Sequence, residues 1–145
     1  MLKLIATKLR LSLEFPGFRV LHKMAEKKLL AVPLVDIDEQ GVFKYVLIKL
    51  SAKRSSEEAS KTIVRGYADC KWHADIFKRT QESLKETGLD ICCLGGGRIQ
   101  HRPDKKYIKV YGYSQGYGKA DHSETKKIIQ TQYGDYEIEI SDEGY

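Results

Sequence analysis

The stretch Val42–Leu50, which reads VFKYVLIKL, decides the fold of this 145-residue chain. Its apolar side chains alternate between two faces: Val42, Val46, Ile48 and Leu50 on one, Phe43, Tyr45 and Leu47 on the other. Because both faces are apolar, the stretch is predicted to be a β-strand covered on both sides. Such a strand is typical of a sheet that lies between helices.

Outward from this strand, the sequence predicts further strands near residues 32–38, 62–67, 90–94, 107–113 and 136–140. One helix is predicted over residues 70–86, with Asp69 as its N-cap and Gly88 as its end. A second is predicted over residues 121–133, with Asp121 as its cap. Gly95–Arg98, a glycine triplet with a cation, is predicted to be a tight turn. The predicted fold is a single α/β domain, a mixed β-sheet of about six strands with one helix on each face.

The composition is that of a soluble globular protein, with 41% hydrophobic and 31% charged residues. No apolar run approaches the roughly 18–20 residues that cross a bilayer. Three cysteines, two of them adjacent, cannot form a disulfide framework, and this odd count favours a reducing compartment. We therefore expect a cytoplasmic protein.

The net charge of +5 lies entirely in the first thirty residues. Residues 1–30 carry seven Lys/Arg against Glu14 and Glu26, which leaves 18 basic and 18 acidic residues in 31–145. A neutral domain without an RNA-binding motif argues against nucleic acid as a partner. The sequence therefore predicts a basic, poorly ordered N-terminal extension, residues 1–30, followed by one domain, residues 31–145.

Within this extension, Leu2, Ile5, Leu9 and Leu13 fall on one face of a helix. An amphipathic, basic and acid-poor segment resembles a mitochondrial transit peptide in composition. The same pattern also suits a membrane-surface helix or a leader without function. Mitochondrial localisation through residues 1–30 is thus the alternative to the cytoplasm.

His73 is the first candidate for chemistry. It lies near the start of a predicted helix, where the helix dipole disfavours the imidazolium ion. A histidine that is neutral near pH 7 can act as a general base. Cys70 and His73 have C-x-x-H spacing, but His22, His101 and His122 form no matching pair to complete a zinc site.

The loop Gly112–Lys119, which reads GYSQGYGK, is the second candidate. Its glycines allow the backbone to present several N–H groups to an anion, and Ser114 adds a hydroxyl donor. It departs from the phosphate loop of nucleotide-binding proteins, because five residues separate Gly112 from Gly118 and Ala120 replaces the Mg²⁺-binding Ser/Thr.

Lys44, inside an apolar strand, is the third candidate, since its ammonium must reach water or an anion. Together the three candidates predict a phosphate-handling site without a metal.

Five runs carry a resemblance to a known family: Val42–Ile48, Ile63–Gly66, His73–Ile76, Leu94–Ile99 and Lys109–Ser114. In this order and without large gaps, they are similar to the janus / protein histidine phosphatase family over about residues 31–145. The longer stretches Tyr111–His122 and Glu137–Tyr145 resemble the insect branch of that family.

The resemblance implies a protein phosphohistidine phosphatase that hydrolyses the N–P bond without metal or cofactor. It implies His73 as the proton acceptor and Lys44, Ser114, Gln115 and Gly116 as the substrate-phosphate site. The implied partners are phosphohistidine-containing proteins. We also expect a monomer that has neither nucleic acid nor a membrane as a partner. For the insect branch, it implies a developmental role in somatic sex differentiation.

Two mechanisms are compatible with these residues. His73 takes a proton from an attacking water, or it attacks phosphorus directly and leaves a phospho-enzyme. The competing class is a binding module that docks phosphorylated or acidic partners in the same pocket without turnover.

Overall fold

The computed structural model describes residues 16–52 and 59–143, and in this part of the chain it contains six strands and three α-helices. The strands are β1 (Val35–Ile37), β2 (Gly41–Ala52), β3 (Ser60–Gly66), β4 (Leu89–Arg102), β5 (Tyr107–Tyr111) and β6 (Glu137–Ile140). The helices are α1 (Pro16–Ala31), α2 (His73–Leu84) and α3 (His122–Gln130). None of the described helices has the length and apolar character that a membrane crossing needs.

The strands form one mixed sheet in the order β1-β3-β2-β4-β5-β6. The outer pairs, β1 with β3 and β5 with β6, are parallel, whereas the inner pairs are antiparallel. The short β1 follows Pro33 at one edge, where a residue without an N–H donor is tolerated. The predicted six-stranded mixed sheet is confirmed.

The predicted two-sided burial of β2 is confirmed from Phe43 onward, whereas Val42 near the start of the strand is exposed. Phe43, Tyr45 and Leu47 pack in a core that includes Ile129 of α3. Val46, Ile48 and Leu50 pack in a second core, which includes Leu29 of α1 and Ile76 of α2. The apolar alternation of β2 therefore places one helical layer on each side of the sheet, with α1 as a third helix beside α2.

Helix α1 begins inside the segment predicted to be a poorly ordered extension. Its last turn packs on the sheet, and Leu29 in this turn is therefore only 5% exposed. The ammonium of Lys61 on β3 donates to the carbonyl oxygens of Leu29 and Val32 and so satisfies the C-terminal end of the helix. The predicted amphipathic helix of residues 2–13 lies outside the described residues, and the domain boundary after residue 30 stays a prediction.

We expect deletion of residues 1–23 to leave activity and thermal stability nearly unchanged, because Leu29 and its contacts with Lys61 are retained. The matched control is deletion of residues 1–31, which removes Leu29. Loss of a buried leucine costs about 2–5 kcal/mol, so the melting temperature should fall by roughly 10 °C. Thermal unfolding of both truncations is the measurement. A comparable fall for the shorter deletion would show that the first half of α1 packs on the domain.

The prediction that Gly95–Arg98 is a turn is wrong. These residues lie inside β4, which continues from Leu89 to Arg102. Gly97 lies opposite Tyr45 on β2, and Leu94 is an extra residue where the register shifts by one. Gly95 has φ +146, a conformation that glycine adopts readily. The glycines here allow close approach of neighbouring groups rather than a change of chain direction.

The predicted start of α2 is also wrong, whereas that of α3 is nearly right. Helix α2 begins at His73, three residues later than predicted, and the Asp69 carboxylate pairs with Arg79 instead of capping it. The carboxylate of Asp75 accepts a hydrogen bond of 3.0 Å from the Trp72 N–H at this helix start. In α3, Asp121 is the N-cap as predicted, since its carboxylate accepts from the N–H groups of Ser123 and Glu124.

Candidate active site

The predicted site residues lie together in a pocket of about 480 Å³ between β2, the start of α2 and the loop after β5. It is lined by Lys44, Trp72, His73, Ala74, Ser114, Gln115, Gly116 and Tyr117. These residues come from three segments that are up to 73 positions apart in the chain. All five predicted site residues are in this set, and Trp72, Ala74 and Tyr117 are additions that sequence analysis missed.

One hydrogen bond holds the ring of His73. Its Nε2–H donates to the carbonyl oxygen of Gly97, with 2.9 Å between the two heavy atoms. A carbonyl can only accept, so the neutral ring carries its proton on Nε2 and a lone pair on Nδ1. Within residues 16–52 and 59–143, no protein group hydrogen-bonds to Nδ1. The geometry thus supplies an oriented basic nitrogen beside the pocket.

The electrostatics favour the neutral form of His73. Burial is the largest cause that lowers the pKa of this side chain below its ordinary value, and it outweighs the Gly97 hydrogen bond, which raises the pKa. The positive charges of Lys44 and Arg98 lower it further. As the first residue of α2, His73 also lies where the helix dipole disfavours a cation. The expectation from sequence, a neutral histidine at a helix start, therefore agrees with this environment.

Two glycines of β4 leave room for groups that pack closely on its two faces. A Cβ atom at Gly96 would lie 2.7 Å from Cδ2 of His73 and 3.1 Å from Cβ of Ser114. On the opposite face of β4, a Cβ atom at Gly97 would lie 2.5 Å from the carbonyl oxygen of Tyr111. Only a hydrogen atom fits at either position, and at Gly96 this allows the imidazole of His73 to lie directly against the sheet.

The loop after β5 is attached to β4 at the same place. The N–H of Gly96 donates to the carbonyl oxygen of Gly118, and the N–H of Ala120 donates to the carbonyl oxygen of Gly96, both at 3.0 Å. Within the loop, Ser114 and Gly118 bond to each other, and both Gly112 and Gly118 have positive φ. The loop is therefore a tight turn of defined geometry, and Ser114 is buried in it with only 2% exposure.

Two cations lie side by side at this face of the sheet. Lys44 on β2 is the direct cross-strand partner of Arg98 on β4, so both side chains project from the same face. The positive charges of both lower the pKa of His73, in addition to the larger effect of burial. A half-buried pair of like charges is a favourable environment for an anion. Sequence analysis missed Arg98 because it assigned the residue to a turn, and only the strand register reveals its neighbour.

His122 is a second buried histidine at a helix start. His122 is the first residue of α3, is buried, and donates from Nε2 to the carbonyl oxygen of Gly112 at 2.9 Å. Its Nδ1, unlike that of His73, accepts from the hydroxyl of Tyr45 at 2.6 Å. The lone pair of His122 is thus already used, on the face of the sheet opposite the pocket.

A bound metal ion would require a cluster of ligating side chains among the described residues. Among these, no three His, Cys, Asp or Glu side chains cluster as an ion would require. Cys70, Cys92 and Cys93 are all free, and Cys70 is buried behind the start of α2. The pocket offers nitrogen and hydroxyl donors from uncharged or cationic groups, which suits an anion rather than a metal ion.

Fold and pocket define the class: a single-domain α/β protein with an oriented histidine in a cationic, hydroxyl-lined pocket. The chain belongs to the Janus/Ocnus family, whose profile matches residues 29–137. The resemblance that the five sequence runs indicated is therefore confirmed at the level of the family.

Individual relatives agree with this assignment. The chain is 62% identical over 131 residues to the sex-regulated protein janus-A of Drosophila pseudoobscura pseudoobscura, covering 89% of this chain and 88% of the relative. It is 58% identical over 136 residues to janus-A of Drosophila melanogaster, covering 94% and 98%. It is also 48% identical over 125 residues to the human 14 kDa phosphohistidine phosphatase, covering 84% of this chain and all of that protein.

Proposed function

We propose that this protein is a metal-independent protein phosphohistidine phosphatase in which His73 is the proton acceptor. The observation that carries the proposal is the 2.9 Å bond from Nε2 of His73 to Gly97, which leaves Nδ1 as the base beside the pocket. The human relative named a phosphohistidine phosphatase supports the choice of substrate. Phosphohistidine is a phosphoramidate, and its imidazole is a good leaving group once it is protonated.

In the proposed reaction, the phosphoryl group lies among Lys44, Ser114 and the N–H groups of Gln115 and Gly116. As charge redistributes in the transition state, these donors stabilise the equatorial oxygens of the phosphoryl group. In other phosphoryl-transfer enzymes, a metal ion supplies this stabilisation. Nδ1 of His73 takes the proton of the attacking water, a contribution of about 10²–10⁴-fold. If Nδ1 attacks phosphorus instead, the N–P bond of the substrate breaks as its imidazole leaves, and water then hydrolyses the phosphate formed on His73. This phosphate is acid-labile, so rapid quenching in alkali detects it.

The decisive assay follows phosphate release by the full chain from a histidine-phosphorylated protein, with and without EDTA. We expect turnover that EDTA leaves unchanged. Binding of the phosphorylated protein without turnover would establish the competing reading, a binding module for phosphorylated or acidic partners. Loss of turnover in EDTA would contradict the metal-independent mechanism.

We expect Lys44→Ala to raise KM for phosphohistidine about tenfold while kcat changes little. A lysine that contacts phosphate equally in the ground and transition states contributes to binding but not to the chemical step. Steady-state kinetics of the variant measure both constants. The matched control is Lys49→Ala, which removes an exposed lysine from the same strand outside the pocket. An unchanged KM for Lys44→Ala would exclude this lysine from the phosphate site.

The cellular role is a further proposal. Drosophila relatives carry the name sex-regulated protein janus-A, and we propose a role for this chain in somatic sex differentiation. We also propose a cytoplasmic monomer that acts on phosphohistidine-containing proteins and binds neither nucleic acid nor membrane. A fluorescent fusion of residues 1–30 tests the mitochondrial alternative, and comparison of the two sexes after gene disruption tests the developmental role.

A further inference from the structure

The mouth of the pocket contains an aromatic side chain that the proposed mechanism does not use. Trp72 lines the pocket and yet is 58% exposed. Exposure of a large apolar ring beside a site costs solvation free energy and often marks a binding surface. The ring of Trp72 is therefore positioned to contact a group that occupies the pocket.

The backbone of Trp72 is fixed relative to the proposed base. Trp72 is the N-cap of α2 and directly precedes His73. Its N–H donates to the Asp75 carboxylate at 3.0 Å, and its carbonyl oxygen accepts from the Asp75 N–H at 3.1 Å. The indole therefore projects from a hydrogen-bonded helix start, one residue before the imidazole of His73.

The other aromatic residue of the pocket, Tyr117, is held by internal contacts. Its ring packs edge-on against Phe77 of α2, with 5.6 Å between centroids, and its N–H donates to Ser114 Oγ at 3.2 Å. Trp72 has the ammonium of Lys71 5.2 Å from its ring centroid. A single cation covers one face of an indole, and the ring has a second face for a planar group.

The charges of the pocket indicate where the phosphoryl group and the leaving group of a phosphohistidine lie. Lys44 lines the pocket and Arg98 is its cross-strand partner, so positive charge on the strand side of the pocket attracts the phosphoryl group. The leaving group of a phosphohistidine is a flat, uncharged or cationic ring, which must lie toward the mouth when the phosphoryl group is inside. Aromatic rings prefer offset-stacked or edge-to-face contact at centroid separations of about 4.5–7 Å.

We propose that Trp72 is a specificity-determining residue that stacks against the leaving imidazole of phosphohistidine. The inference rests on the proposed function for its substrate, and it adds a contact that selects a planar leaving group. A phosphoramidate without a ring uses the same phosphate donors but gains nothing from Trp72.

The test compares two substrates, phosphohistidine and inorganic phosphoramidate, whose leaving group is ammonia. Trp72→Ala should lower the ratio of kcat/KM for phosphohistidine to that for phosphoramidate about fivefold, mainly through KM. Trp72→Phe should restore most of this ratio, because it keeps a ring. The matched control is Tyr113→Ala, which removes another exposed ring, one residue before Ser114 but outside the pocket lining. An equal loss for both substrates, or no loss, would overturn the proposal.

A second measurement uses the fact that Trp72 is the only tryptophan of the chain. A histidine-phosphorylated peptide added to the His73→Ala variant should shift the emission of Trp72, and saturating inorganic phosphate should shift it less. If the wild-type protein hydrolyses neither substrate, the proposed function fails and this titration alone decides the inference. An unshifted emission with the bound peptide would then overturn it.

Discussion

We expect His73→Ala to lower kcat/KM for phosphohistidine by about 10²–10⁴-fold while phosphate affinity and fold are kept. The substitution removes the only lone pair at Nδ1, whereas Lys44 and Ser114 remain in the pocket. Calorimetric titration with inorganic phosphate and thermal unfolding separate loss of chemistry from loss of binding or structure. Near-normal turnover would refute His73 as the base.

The pH dependence of the wild-type protein provides the second readout of the same assignment. The base must be neutral, so kcat/KM should rise with pH as His73 loses its proton and then reach a plateau. Since burial lowers the pKa of His73, the plateau should begin at a lower pH than for an ordinary histidine. The His73→Ala variant should lack this rise.

His122→Gln is the matched control for this assignment, because His122 also begins a helix and also donates from Nε2 to a backbone carbonyl. Its loss breaks the contact with the Tyr45 hydroxyl and should lower thermal stability. It should keep the rise of kcat/KM with pH. The opposite pattern, in which His122→Gln abolishes that rise and His73→Ala does not, would reverse the assignment.

We expect Gly96→Ala to lower kcat/KM about 10²-fold in a protein that still folds. The new methyl group would lie 2.7 Å from Cδ2 of His73 and 2.8 Å from the carbonyl oxygen of Tyr45. Real Cβ atoms do not tolerate such distances, so the imidazole must move, and a displacement of about 1 Å costs this much in rate. Overpacking should also lower the free energy of unfolding by about 1–3 kcal/mol.

The control for Gly96→Ala is Gly134→Ala. A Cβ atom there would lie 3.5 Å from the carbonyl oxygen of Gln130, which is ordinary van der Waals contact. Activity of this variant should match that of the wild type. Steady-state kinetics and thermal unfolding of both variants are the measurements, and a folded Gly96→Ala protein with normal kcat/KM would show that His73 has room to adjust.

Local patterns in the sequence were sufficient for much of the fold. The alternation in β2 predicts burial on both faces because side chains of a strand point to opposite sides by geometry. Asp121 predicts the start of α3, since a carboxylate at that position accepts from two free N–H groups whatever the tertiary context. The start of α2 could not be read in this way, because Trp72 is not a capping residue by type and Asp75 satisfies its N–H from within the helix.

The sequence by itself determined the α/β class, the family and the five residues that the pocket brings together. Their signals are local: an alternating pattern, a glycine loop, and a cation or histidine in an unusual place. Only the tertiary structure decided that the glycine triplet is part of β4, that Arg98 lies beside Lys44, and which nitrogen of His73 donates to Gly97. Those properties depend on strand register and on contacts between segments distant in the chain, and residue type alone does not specify them.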